Sequence, residues 1–333
     1  MGTRVFTRPR ASNPHSHRTT SSLFTRTSVM VGRGYHRRAR PGRRSSGCGR
    51  RPRPHDKKVM GARSRLAGLA LAGLLLGACT AGSQAAPPAP RHVFVIVMEN
   101  KSPQEALTGP FTASLAARYR EAVNYRAVAR PSVPNYLALT SGQTWGVADD
   151  GYHVLPRSDL GDQLTAAGVS WRAYMEGLAS RDCLDSPLPY DPGHNPFAFY
   201  GGRCPANVVP LTSLAADLAG PAPRFAWITP DRCHDTHDCP VPAGDDWLRQ
   251  TVTLIMRSKA WGDDAILLIT WDEDDGSAGN RVLTLVVGRW LSHRVSHQPY
   301  THYSLLATIE DLLGVGRLGQ AAGARPMRDL VSP

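Results

Sequence analysis

The sequence predicts an α/β domain: a mostly parallel central sheet with helices on both faces. Three observations carry that reading. Residues 92–98 (HVFVIVM) and 265–269 (AILLI) are continuous apolar runs, as expected of strands buried on both faces rather than strands with one wet face. Helical and strand-like periods alternate between and after them, which is the pattern of βαβ units. Both runs also deliver polar clusters at their carboxyl ends, Glu99-Asn100 and Asp272-Glu273-Asp274-Asp275, where open α/β sheets bind ligands.

The net charge of +12 belongs to the front of the chain. Residues 1–60 carry 16 of the 39 Lys and Arg against a single acid, Asp56, and the remainder carries 23 against 26 acids. Residues 1–59 are rich in Arg, Ser, Gly and Pro, lack an apolar period, and read as a disordered extension. From Met60, Arg63 and Arg65 precede an apolar core, 66–76, too short to span a bilayer, and Leu76-Gly77-Ala78-Cys79 follows. This is the pattern of a bacterial lipoprotein signal over 60–78, with Cys79 as the lipidated residue and Met60 as the working initiator. The alternative is a genuine basic extension ahead of an internal anchor. Residues 79–91 then form a Pro/Ala tether, 92–314 the folded domain and 315–333 a C-terminal tail. Such a protein is exported, and is either lipid-anchored at the membrane or secreted. Its folded part gives no electrostatic case for nucleic acid as a partner. Cys183, Cys204, Cys233 and Cys239 are an even set in an exported chain, which points to two disulfides. Of three connectivities, Cys183–Cys204 and Cys233–Cys239 is the preferred one, and no CxxC spacing supports a thiolate metal cluster.

Residues 92–98 are the first and central strand. A helix is expected over 111–122, with Leu115 and Tyr119 on one face, then a short strand near Tyr125. Pro131 and Pro134 bracket Ser132, and a helix begins at about Pro134. A helix over 159–167 and a strand over 170–176 follow. Residues 177–210 form a long irregular segment pinned by Cys183 and Cys204. Next come a helix over 211–218 and a strand over 225–229. Gly244-Asp245-Asp246 opens a helix over 247–260, placing acids where the helix dipole favours them. The strand at 265 leads to a further strand over 281–287. The last helix, 300–313, has Leu305, Leu306, Ile309 and Leu312 at core spacing.

The chemistry concentrates at strand ends. Four carboxylates at the end of one buried strand repel one another, and a bound cation would relieve the repulsion; a solvated acidic turn is the alternative. Glu99-Asn100 offers hard oxygen ligands for the same ion, or caps a strand-to-turn junction. Ser132 sits at a helix N-terminus, where a hydroxyl either caps the helix or faces a site that favours phosphate oxygens. His194 lies in the irregular segment and reads on its own as a turn histidine. Asp231, His234, Asp235, His237 and Asp238 crowd a segment closed by Cys233 and Cys239, and metal binding, phosphate binding and leaving-group protonation are all open to it.

Taken together, VIVMENKS, PSVPNYLALTSG, HNPF, CHDTHDC, GDDWL, ITWDEDD and YTHYSLLATIEDLLG, in that order over 92–314, resemble a known family. It comprises the secreted bacterial and fungal phosphoesterases, including phospholipase C and certain acid phosphatases, of the alkaline-phosphatase-like superfamily. The resemblance implies one divalent metal ion of unspecified identity on Glu99, Asn100, Asp272 and Glu273, and Ser132 as nucleophile through a phosphoserine. It implies catalytic roles for His194 and His237, with His234 and Asp235 at the substrate. The chain departs from the family at Arg130, where a His is common, and at Asp231 and His234, where an Asn is common. The expected activity is hydrolysis of a phosphoester, phosphatase-like given the compact core. A phospholipase C-type phosphodiesterase is the nearer alternative. An inactive lipid-anchored phosphate-binding protein and a nucleic-acid binder led by the Arg-rich front are the more distant ones.

Overall fold

The computed structural model describes residues 92–180 and 182–332. The expected extension, signal, tether and Cys79 therefore lie outside the described residues.

In chain order the elements are β1 His92–Met98, α1 Pro103–Ala106, α2 Pro110–Arg118, β2 Arg120–Ala122, β3 Tyr125–Arg126, α3 Ser132–Ser141, α4 Leu160–Ala166 and β4 Trp171–Met175. The second half adds β5 Val208–Pro210, α5 Leu214–Ala219, β6 Phe225–Thr229, α6 Val241–Arg257, β7 Ala265–Trp271, β8 Thr284–Val287, β9 Arg294–Ser296, β10 Tyr300–Thr301, α7 His302–Leu313 and α8 Arg328–Val331. Eight strands form one sheet in the order β5-β4-β6-β1-β7-β8-β2-β9, while β10 and β3 pair separately. Every pairing in the large sheet is parallel except the two made by β8. The mostly parallel α/β sheet flanked by helices is thus the observed architecture. Among the described residues, no helix is long and apolar enough to cross a membrane.

The two apolar runs are neighbours. β1 lies between β6 and β7, its residues Val93–Met98 are fully buried, and so is nearly all of β7. Each such side chain contributes roughly 1.5–3 kcal/mol on burial, which fixes these strands at the centre. Their register matters more for function. Met98 is paired with Trp271, so Glu99 and Asp272 leave adjacent strand ends side by side. The Asp272 N–H donates to the Met98 carbonyl at 2.9 Å, and the Glu99 N–H to the Asp235 carbonyl at 2.9 Å.

Several elements differ from the sequence expectation. The helix expected over 111–122 ends at Arg118, and Arg120–Ala122 is a strand between β8 and β9. Arg120 is buried there, satisfied by the carbonyls of Ser292, Asp329 and Ser332. The segment after 314 is no loose tail. Ala321, Met327 and Leu330 are fully buried, and Asp329 accepts from the hydroxyls of Ser296 and Tyr300. The irregular 177–210 segment ends in the edge strand β5, and the strand expected over 281–287 is the shorter, antiparallel β8.

The helix expected from 247 begins at Val241, with Pro242 in its first turn. Asp245 consequently does not serve its own helix. It caps α2, accepting from the Phe111 N–H at 3.0 Å and from the Thr112 N–H and hydroxyl at 2.7 Å each. The N-cap residue of α2, Gly109, has no side chain to do this, and a Cβ there would stand 2.5 Å from Asp245 Oδ1. Gly244 plays a similar part: a Cβ would fall 2.8 Å from the His234 carbonyl, so its absence lets α6 close on the 231–240 loop. The disulfides are Cys183–Cys204 and Cys233–Cys239.

Candidate active site

Ser132 is the first residue of α3, and its hydroxyl makes no capping bond. Ser132 Oγ donates instead to Glu99 Oε2 at 3.0 Å and approaches Glu273 Oε1 at 3.5 Å. The approach to this serine is rigid because Asn135, fully buried on the next turn, ties it down. Asn135 Oδ1 accepts from the N–H groups of Val128 and Ala129, and its Nδ2 donates to the carbonyls of Ala129 and Pro131. The Val133 N–H donates to Asp150 Oδ1 at 3.1 Å, so a carboxylate already lies at this helix N-terminus.

The acids after β7 divide between two tasks. Asp272 and Glu273 face Glu99 and Ser132; Asp272 Oδ1 also accepts from the Asn100 N–H at 3.2 Å. Asn100 is in the left-handed region at φ 52°, which asparagine tolerates better than most residues. Asp274 instead organises its own loop, accepting from the N–H groups of Gly276, Ala278 and Asn280, and it pairs with Arg130. Asp275 takes the hydroxyls of Ser102 and Ser277. The four-carboxylate cluster is therefore two site residues followed by two turn residues.

His194 stands at the other side of Glu99. Its Nδ1 lies 3.0 Å from Asp235 Oδ2, its Nε2 is 3.4 Å from Glu99 Oε1, and its ring stacks on Tyr136 at 5.3 Å. The donor atoms of Glu99, His194 and Asp235, all three residues buried, lie within 4.8 Å of one another. His237 is nearby but turned outward: its ring is 6.0 Å from that of His194, and its Nδ1 is held by Asp238 at 2.7 Å and Arg232 at 3.0 Å. His234 is not brought to this group. Its Nδ1 contacts Glu176 Oε2 at 3.0 Å, and its ring stacks on Trp247. Asp235, expected at the substrate, is fully buried and meets His194 and the His237 N–H.

Burial dominates the electrostatics. It raises Glu99 well above the usual carboxylate range, with Asp272 and Asp235 adding to the effect. Asp272 is pushed up to about 6 by burial, against the pull of His194 and Ser132. Glu273 is pushed up to about 7 by burial and by Asp272, against Arg130. For His194, burial pulls downward, but the Asp235 hydrogen bond and charge, with Asp191 and Asp272, outweigh it and raise the imidazole.

Sequence reasoning missed His302 altogether. Fully buried at the start of α7, it bridges the Asp272 carbonyl, 2.6 Å from Nε2, to the Tyr125 hydroxyl, 3.0 Å from Nδ1. Burial lowers it to about 4, which keeps it neutral and lets one ring nitrogen donate while the other accepts. Its signal lay in YTHYS, a histidine at the front of an otherwise apolar helix. Asn135 and Tyr136 lay equally open in PSVPNY.

The arrangement, a hydroxyl among buried acids with an acid-held imidazole behind it, is suited to attack on a charged ester. Residues 105–316 match the model of the phosphoesterase family. The chain belongs to the phosphoesterase family. Membership makes it a hydrolase of phosphoric ester bonds. It is 31% identical over 249 residues to a phosphatidylinositol-3-phosphatase of Mycobacterium tuberculosis, an alignment covering 72% of this chain and 82% of that one. It is 27% identical over 244 residues to a phosphate-repressible acid phosphatase of Penicillium chrysogenum, covering 68% of this chain and 59% of the fungal one. Among solved structures, a protein of the alkaline phosphatase superfamily from Vibrio parahaemolyticus superposes with a TM-score of 0.54 at 14% identity, over 73% of this chain and 70% of that one. That likeness establishes the fold of this phosphoesterase.

Proposed function

We propose that the chain is a metal-dependent phosphomonoesterase in which Ser132 attacks phosphorus to give a phosphoserine. The observation that carries this reading is the placement of Ser132 Oγ at the start of α3, 3.0 Å from Glu99 Oε2 and 3.5 Å from Glu273 Oε1. The fit to a divalent cation rests on Glu99 Oε1, Asp272 Oδ2 and Glu273 Oε2, three buried carboxylate oxygens with no hydrogen-bond partner among the described residues, with His194 Nε2 3.4 Å from the first and Arg130 Nη1 3.6 Å from the last. Buried charges of this kind are costly unless paired, and oxygen donors suit a hard divalent ion. Glu99, Asn100, Asp272 and Glu273 would hold it, with His194 and Asp235 within reach through Glu99. When bound, the ion supplies charge neutralisation and a lowered serine pKa.

The protein's own groups do the rest. The hydrogen bond to Glu99 Oε2 aims Ser132 Oγ and gives its proton an acceptor. The Ser132 oxygen forms a bond to phosphorus as the ester P–O bond breaks. The departing alkoxide takes a proton from a histidine, His194 being the one held in place by Asp235 and His237 the more exposed neighbour. Water then displaces the serine and releases inorganic phosphate. Asn135 and His302 hold the backbone on either side of the reacting group.

The test is hydrolysis of nitrophenyl phosphate and nitrophenyl phosphocholine by the metal-loaded protein and its Ser132→Ala variant. Cleavage of the monoester, lost in the variant, is expected. Preferential cleavage of the choline diester would move the protein to the phospholipase C side, and silence on both would favour a binding protein. We also propose export with a lipid on Cys79. The mass of the native N-terminus tests this, since a chain starting upstream of Cys79 contradicts it.

A further inference from the structure

A second group of metal-type ligands lies apart from Ser132, at the carboxyl ends of β4 and β6. Glu176 follows Met175 at the end of β4, and its N–H donates to the Thr229 carbonyl at the end of β6. Two residues beyond Thr229, Asp231 donates its N–H to Glu176 Oε2 at 3.1 Å. His234 brings Nδ1 to 3.0 Å from Glu176 Oε2 and 3.4 Å from Asp231 Oδ1. The three donor atoms lie within 4.8 Å of one another.

Two independent features point from this group to a ligand. The first is charge: among the described residues, Glu176 and Asp231 have no Lys or Arg partner, and the single imidazole of His234 is their only ion partner. The second is access. Glu176 and His234 line a cavity of about 470 Å³, walled also by Asp246, Trp247 and Gln250. His234 lies against Trp247, with ring centroids 6.5 Å apart and planes 22° from parallel. Asp231 is fixed through the N–H groups of Cys233 and His234 on its Oδ1, both at 3.0 Å.

We propose that Glu176, Asp231 and His234 bind a zinc-class divalent cation, distinct from any ion at Ser132. Two carboxylates and a neutral imidazole balance a charge of two, and an imidazole in the set favours zinc over magnesium or calcium. Three protein ligands leave a further position open to the cavity, where water completes the set. His234 is followed directly by Asp235, the partner of His194.

The test uses the full chain, stripped with chelator and titrated with zinc by calorimetry and by tryptophan emission. Wild type is expected to bind one more zinc per chain than either His234→Asn or Glu176→Gln. Zinc should change an emission signal that Trp247→Phe abolishes and that both ligand variants lack. Circular dichroism confirms each fold, and should one ligand variant fail to fold, the other carries the comparison. Zinc stoichiometry, affinity and emission unchanged in the folded ligand variants would overturn the proposal. Loss of activity in Ser132→Ala with this zinc equivalent intact leaves the two sites separate, as proposed.

Discussion

Two groups of the same composition, two carboxylates and one histidine, stand at neighbouring strand ends of this sheet. Glu99, His194 and Asp235 are buried and share their enclosure with Ser132, whereas in the second group Glu176 and His234 open on a cavity beside Trp247 and Asp231 is buried behind them. The loop closed by Cys233 and Cys239 feeds both, sending Asp235 to one and His234 to the other, where it meets Asp231 from just before the loop. The difference teaches that residue type does not assign the chemistry. Burial does, by forcing carboxylates away from their usual ionisation, together with a hydroxyl delivered at a helix start. The second group leaves Glu176 and His234 partly exposed and has no nucleophile, which suits it to holding an ion rather than making bonds.

The two groups differ most at the serine. Ser132→Ala should lower kcat on nitrophenyl phosphate by about 10⁴-fold or more with the melting temperature nearly unchanged, since the side chain is small and its loss leaves a water-sized gap. Next in size, Asp235→Asn removes the charge that raises and holds His194, and should cost about 10²–10³-fold in kcat. The corresponding change in the second group, Asp231→Asn, should cost within about tenfold, and equal losses would erase the distinction between the groups.

A third effect is pH-dependent. Asp272 and Glu273 are raised to about 6 and about 7, so the cation-free folded state binds protons that the unfolded state has already released. Their contribution to stability is complete below about pH 4 and is lost as pH rises through 6–7. A cation holding both carboxylates ionised offsets that loss. The gap in melting temperature between metal-loaded and chelated protein should accordingly widen from pH 5 to pH 7.5, and a gap that narrows over this range would contradict the assignment. The smallest effect is purely structural: Asp245→Ala should destabilise by about 1–2 kcal/mol through the lost cap on α2, with kcat retained, as denaturant titration would show.

The legible parts of the fold were those set by composition. β1 and β7 announce themselves because a strand buried on both faces has to be apolar throughout, and their shared exit made Glu99 and Asp272 candidates at once. Arg120–Ala122 was not legible, because a buried arginine is permitted only by carbonyls as far along the chain as Ser332. The start of α6 was misplaced because Asp245 follows the dipole of a different helix. Within the site, the separation of His234 from Asp235 could not be read from a sequence in which they are adjacent. It follows from the turn that faces one toward β4 and the other toward His194. His302 escaped notice because both of its partners, Asp272 and Tyr125, are distant in sequence.

The most direct test of the central claim, attack by Ser132, is the stereochemistry at phosphorus. A monoester made chiral at phosphorus would be hydrolysed by the metal-loaded enzyme in isotopically labelled water and the phosphate configuration determined. Two in-line displacements, first by Ser132 Oγ and then by water, predict net retention. Net inversion would mean that water attacks the substrate directly, and Ser132 would not be the nucleophile.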